Sequence, residues 1–251
     1  MSRLPAIFGV LSTAALALSA GLIFGYAPTE ATMGVVQKIF YIHVPSAWAM
    51  YFNWFICAIA SAIWIVRKSE RWDLVAASAG ENALLFAAGV MITGPLWGRS
   101  IWSAYWAWDP RLTSALILTC IIAAYVLLRA SQTRSDHRFA AVLAISGAVM
   151  IPAIHFSIQI WRGQHPVVLG RGGAGITGEM ALTLIICTLA FTLLSVAFLL
   201  FGTQNKRRQR QLHRATEALR HADTPQERAR ICQDLRQPRS APPSAPQAEG
   251  P

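Results

Sequence analysis

Six stretches of the chain are predominantly apolar over residues 6–26, 40–66, 74–96, 112–128, 139–156 and 179–201, and most of the charged residues collect between them. A helix that crosses a bilayer takes about 20 apolar residues. The runs do not alternate apolar with polar at period two, so they predict helices that satisfy their own backbone hydrogen bonds, not the strands of a barrel. The fold expected is an all-α integral membrane protein with six transmembrane helices and no internal repeat. The first run has one competing reading. Arg3, a short apolar core and the small residues of 15–20 also resemble a cleavable secretory signal. Continuation of the run through Gly21, Leu22, Ile23 and Phe24 favours a retained first helix.

Composition removes the soluble alternative. Of the 251 residues, 54% are hydrophobic and 14% charged, against about a quarter charged in ordinary soluble domains. Mean hydropathy is +0.41. The net charge of +10 would suit a nucleic-acid partner if it formed a patch, but its distribution says otherwise. From Lys206 onward there are 10 Lys/Arg against 5 Asp/Glu, and the remaining excess lies in the gaps between apolar runs. With the N-terminus inside, the inner segments hold eleven basic residues: Arg3; Arg67, Lys68 and Arg71; Arg129, Arg134 and Arg138; Lys206, Arg207, Arg208 and Arg210. The outer segments hold five, namely Lys38, Arg99, Arg111, Arg162 and Arg171. This bias places both termini in the cytoplasm and the first, third and fifth gaps on the outer face. It calls for a lipid bilayer and no nucleic acid.

Two regions follow: a six-helix membrane domain, 1–205, and a basic cytoplasmic tail, 206–251. The run Lys206-Arg207-Arg208-Gln209-Arg210 suits anionic headgroups. Residues 211–236 are a candidate helix for a cytoplasmic partner, and the Pro/Ala/Ser-rich end, 238–251, has the composition of a disordered segment. Cys57, Cys120 and Cys187 fall in separate apolar runs and Cys232 in the tail, so neither a disulfide framework nor a metal-ligand spacing is expected.

The unusual residues segregate to the outer face. Within 12 residues of the third gap stand Trp97, Trp102, Trp106 and Trp108, four of the nine tryptophans, together with Tyr105. An interfacial aromatic belt accounts for one or two such residues per helix end; five are a denser cluster. Trp102, Trp106 and Asp109 stand at i, i+4 and i+7, which predicts a short interfacial helix with one broad aromatic face ending at Pro110. Arg99 and Arg111 flank that face as candidate partners for an acidic ligand. His137, His213 and His221 are cytoplasmic on this topology, whereas His43, His155 and His165 all lie at outer helix ends or in outer loops. His43 opens the second span, with Pro45 suited to a first helical turn. A flat, apolar, dianionic ligand that takes axial nitrogen ligands is haem. Zinc would need three or four ligands in a tight set. The residues alone do not choose among the three histidine pairs.

A polytopic solute transporter is the alternative, with a polar site near Glu81 and Asn82 and with Asn53 deep in the second run. The runs lack the broken helices and repeats such a site usually needs. No Ser/His/Asp set or carboxylate pair suggests an enzyme; a carrier or ligation platform fits better.

The sequence from Trp97-Gly98 to Trp106-Ala107-Trp108-Asp109-Pro110-Arg111-Leu112-Thr113 resembles the tryptophan-rich WWD signature of haem-handling proteins, and its ending is similar to that of the haem exporter protein C family of cytochrome c maturation. Tyr41-Ile42-His43-Val44-Pro45 resembles that family's first histidine motif, and residues 161–165 its second; the resemblance covers residues 5–201. It implies that His43 and His165 are the axial ligands of a non-covalently bound haem b in transit. Trp97, Trp102, Tyr105, Trp106, Trp108 and Asp109 would then lie along the haem edge, and Arg99 and Arg111 would be candidate propionate partners. The implied site is the periplasmic face of a bacterial inner-membrane protein. The implied partners are the haem chaperone CcmE, the small membrane protein CcmD and the ABC transporter subunits CcmA and CcmB. Two departures matter. Tyr105 stands where the family often has another tryptophan, and Ile160-Trp161-Arg162-Gly163-Gln164-His165-Pro166 replaces the usual W-W-x-x-L-H-Q, which keeps His155 as the reserve ligand.

Overall fold

The computed structural model describes residues 3–131, 137–160, 176–222, 224 and 226–228, with backbone only at 155 and 157–160. Seven α-helices follow one another among the described residues: α1 (Leu4–Gly21), α2 (Phe40–Arg67), α3 (Glu70–Trp102), α4 (Pro110–Ser131), α5 (Arg138–Ala148), α6 (Met150–Ile160) and α7 (Gly178–Arg220). The extended backbone described is limited to an isolated bridge between Glu30 and Gly34. Among the described residues, five helical stretches are long and apolar enough to cross a membrane: Leu4–Tyr26, Val35–Arg67, Glu70–Trp102, Pro110–Ser131 and Gly178–Arg220.

The run expected at 139–156 differs. It is divided at Val149 into α5 and α6, each 11 residues long. The cause is in the sequence: Pro152 has no N–H for the carbonyl of Ala148 and crowds it, so an uninterrupted helix is opposed there. In the first turn of a new helix the missing donor costs little. The chain therefore restarts at Met150.

Residues Leu4–Thr203 form one compact unit, with Trp54, Tyr125, Met50, Leu118 and Ile122 in its core and large apolar side chains on its outer surface as well. Its fully buried positions include Ala49, Ala60, Ala79, Ala83, Ala87, Asn53 and Thr183, while Val10, Phe24, Val66, Phe139 and Val149 are each at least 70% exposed. Small residues at many helix contacts and large apolar ones on the outside are what helices show when lipid, not water, surrounds them. Several hydroxyls within the helices are satisfied by their own backbone: Ser19 Oγ donates to the Ala15 carbonyl at 2.8 Å and Thr183 Oγ1 to that of Glu179 at 2.8 Å.

Helices α2 and α3 are joined through Lys68, which takes a left-handed φ of 52° and donates its N–H to the Trp64 carbonyl at 2.8 Å, closing α2. The two helices then pack along their length. At the centre, Trp54 of α2 meets Tyr125 of α4 edge to face, centroids 5.5 Å apart. Gly80 of α3 makes room for them, because a Cβ there would come within 2.3 Å of Tyr125 Cε1. At the end of the bundle where α3 begins, Asp73 Oδ1 accepts from Arg129 Nη1 at 2.6 Å and from His137 Nδ1 at 3.0 Å. All three side chains are at most 10% exposed. This clasp ties α3, the end of α4 and the start of α5 together, across sequence separations of 56 and 64 residues.

The second unit comprises Met1–Arg3 and Gln204–Pro251. The helical path of α7 continues through its basic residues to Arg220, with an exposed His213–Glu217 pair at 3.0 Å. Thr224 and Glu227 exchange side-chain to backbone hydrogen bonds of 3.2 Å each, a capping box that starts a new helical turn. Cys232 and the 238–251 segment lie outside the described residues.

Candidate functional site

The end of the bundle opposite the Asp73 clasp holds most of the predicted site. Helix α2 begins at Phe40, so Pro45 is not in a first turn as expected but inside the helix, fully buried. Its ring leaves the Tyr41 carbonyl without the usual donor four residues on, and Ser46 Oγ donates to the next carbonyl, Ile42, at 2.7 Å. His43 thus stands in the first turn of α2, half-buried, facing α3. Its Nδ1 lies 2.9 Å from Thr93 Oγ1, and Thr93 Oγ1 in turn donates to the Gly89 carbonyl at 2.7 Å. Next to Thr93, a Cβ on Gly94 would sit 3.3 Å from His43 Cε1. The imidazole is therefore held between a hydroxyl and bare backbone, one helical turn before Trp97 on α3.

The tryptophan segment departs from its expected form. Helix α3 does not stop near residue 96; it continues to Trp102 and ends where Ser103 takes a left-handed φ of 57°. No interfacial helix follows. Residues 104–109 are irregular, and α4 starts at Pro110. The single aromatic face predicted from the i, i+4, i+7 spacing is instead two edge-to-face pairs. Trp97 and Trp102, both on α3, have centroids 5.5 Å apart, and Trp106 and Trp108, both in the connection, 5.8 Å. The first pair folds over buried Gly98, where a Cβ would be 3.1 Å from Trp102 Cε3. Arg99 lies over the exposed ring of Tyr105 at 5.7 Å, a cation–π arrangement. Trp108 is 78% exposed.

Asp109 is not a surface carboxylate. It is 8% exposed, and its Oδ1 accepts the Leu112 N–H at 2.7 Å, which caps α4 directly before Pro110. Its other oxygen, Oδ2, and the buried Nε1–H of Trp106 have no hydrogen-bond partner among the described residues. Arg111 follows, half-buried in the first turn of α4.

Of the other predicted residues, His155 falls in α6, with only its backbone described, and His165, Arg162 and Arg171 lie outside the described residues. The structure brings His43 to the helix that carries Trp97, Arg99 and Trp102. The other candidate site does not assemble in the same way. Asn53 is fully buried and donates to Ala49 O at 2.8 Å and Ser195 Oγ at 3.0 Å, and Asn82 Nδ2 reaches Asn53 Oδ1 at 3.4 Å. These amides join α2, α3 and α7, while Glu81 sits on an exposed face of α3. Sequence reasoning missed Thr93 and Gly94. The Thr93-Gly94-Pro95 sequence just before Trp97 was the available signal, because glycine and proline are unusual inside a helix such as α3.

The family model described as "Heme exporter protein C" matches residues 2–218. Among curated proteins, the "Heme exporter protein C" of Bradyrhizobium diazoefficiens is 37% identical over 193 residues, covering 74% of this chain and 73% of its own length. The protein of the same name from Paracoccus denitrificans is 29% identical over 209 residues, 81% of this chain and 87% of its own. A "Putative cytochrome c biosynthesis ccmC-like mitochondrial protein" of Marchantia polymorpha is 30% identical over 179 residues, 71% of this chain and 77% of its own.

Proposed function

The chain belongs to the haem exporter protein C family, and on that premise we propose that it binds haem at the His43 end of the bundle and hands it to the haem chaperone CcmE for the assembly of c-type cytochromes. His43 and His165 are the axial ligands, with His155 in reserve. Haem b is bound without a covalent link and leaves as cargo. Trp97, Trp102, Tyr105, Trp106, Trp108 and Asp109 border it, and Arg99 and Arg111 face its propionates. The site lies on the periplasmic side of the inner membrane, beside CcmD and the transporter subunits CcmA and CcmB.

The observation that carries this reading is the placement of a half-buried imidazole against Thr93 and Gly94, a single turn from Trp97. The neighbouring groups suit the same ligand. Indole faces offer flat apolar contact, the Trp106 N–H is a buried donor without a partner among the described residues, and two guanidinium groups complement two carboxylates. Iron supplies the affinity for imidazole; the protein supplies position and aromatic surface. On this reading the protein acts as a carrier and ligation platform.

The test is the Soret absorption of the full chain purified in detergent. His43→Ala and His165→Ala should each lose most of the bound haem while retaining the helical circular dichroism of the parent. Undiminished haem content in either variant would overturn the corresponding ligand assignment.

A further inference from the structure

The structure assigns to Thr93 the task of fixing the tautomer and orientation of His43. Thr93 has a single hydroxyl hydrogen, and that hydrogen points to the Gly89 carbonyl, 2.7 Å away. Toward His43 Nδ1, at 2.9 Å, the hydroxyl oxygen can then only accept. So the ring carries its proton on Nδ1, and the basic lone pair of the neutral imidazole is on Nε2. Gly94 supports the same placement from a second direction: a Cβ there would be 3.3 Å from His43 Cε1 and 3.9 Å from Nδ1, so the missing side chain lets this edge of the ring come close to α3.

This inference rests on the proposal that His43 ligates haem iron, and it adds what kind of ligand His43 is. A metal-binding histidine commonly gives its second N–H to a carboxylate or a carbonyl, and a carboxylate raises the ring's basicity. Here the acceptor is a neutral hydroxyl whose own proton is committed to the helix backbone. Such a partner orients the ring with little added basicity. A moderately strong axial ligand suits a protein that must also let its cargo go. Thr93 is a positioning residue, acting on iron only through His43.

The valine and serine replacements separate this role from packing. Thr93→Val keeps the shape and β-branching but cannot accept from Nδ1–H; Thr93→Ser keeps the hydroxyl and loses the methyl. The experiment is titration of the full-length protein in detergent with ferric haem, reading affinity and the low-spin fraction of the bound haem, with His43→Ala alongside. Thr93→Val is expected to bind haem about 10-fold more weakly, at the lower end of what loss of such outer partners costs, with a larger high-spin fraction. Thr93→Ser should match the parent in both. Equal affinity and equal spectra for Thr93→Val and the parent, with haem binding lost in His43→Ala, would overturn the role of Thr93 and leave the ligand assignment standing. Equal losses in the valine and serine variants would also overturn it, since packing alone would then explain them. Haem binding retained in His43→Ala would overturn the ligand assignment itself.

Discussion

The two ends of the α2–α3 pair treat polar groups in opposite ways. Where α3 begins, Asp73, Arg129 and His137 are buried together, and one carboxylate oxygen serves both a guanidinium and an imidazole. Where α3 finishes, a histidine is held by a neutral hydroxyl, one indole N–H is buried without a partner among the described residues, and one aspartate oxygen is likewise unpaired. Buried polar groups are nearly always satisfied within a protein. An end that closes its charges on itself serves the fold. The other end, where the proposed site lies, keeps a buried donor and a buried acceptor unmatched among the described residues. Among the described residues, Trp54 Nε1 and Tyr125 Oη are also buried without a hydrogen-bond partner, but they belong to the packed centre of α2 and α4 and not to the end that carries His43, Arg99 and Arg111.

Substitutions that act on one end and spare the other test this contrast. The largest effect is expected from Asp73→Ala, which strands a guanidinium and an imidazole in a buried place; removing one partner of a buried ion pair costs about 3–5 kcal/mol. Thermal unfolding followed by circular dichroism should show it, while haem bound per folded molecule stays at the parental level. A melting curve superimposable on the parent's would mean the clasp does not hold the bundle. At the other end, Trp106→Phe keeps an aromatic ring and removes the N–H. Loss of one hydrogen bond is worth about 1 kcal/mol, roughly fivefold in affinity, and a haem titration should find a drop of that size with unfolding unchanged. A variant that binds as tightly as the parent would show that the indole donor is not used.

Much of the bundle was legible because apolar run length reads directly as helix. The exceptions have local causes. The 139–156 run contained enough apolar residues to suggest a single span, but composition does not weigh the effect of Pro152 on the carbonyl of Ala148, and the helix breaks at Val149. In the tryptophan segment, period counting assumed that one helix would carry Trp102, Trp106 and Asp109. The left-handed Ser103 interrupts that register, and a serine gives little warning of such a turn. The clasp was invisible for another reason: Asp73, Arg129 and His137 are each ordinary in their own segments, and only the packing of α3, α4 and α5 brings them together. His43 was legible as a candidate because histidine is rare and chemically distinctive. Its partner was not, since a threonine inside an apolar helix usually bonds its own backbone. Thr93 does that too, and the same hydroxyl oxygen also faces the ring.

The cap formed by Asp109 bears on how substitutions in the tryptophan segment are interpreted. An aspartate beside tryptophans invites the assumption that any loss on its replacement measures contact with cargo. Yet its Oδ1 starts α4, and Arg111 rides on the first turn that this oxygen anchors. Alanine at 109 would remove the joint and displace a neighbour together, so its phenotype would mix two causes. Asparagine caps helices about as well as aspartate, so Asp109→Asn keeps the joint and removes the charge. Near-parental haem binding in that variant, beside a loss in the alanine variant, would make residue 109 a hinge pin of the site and not one of its contacts.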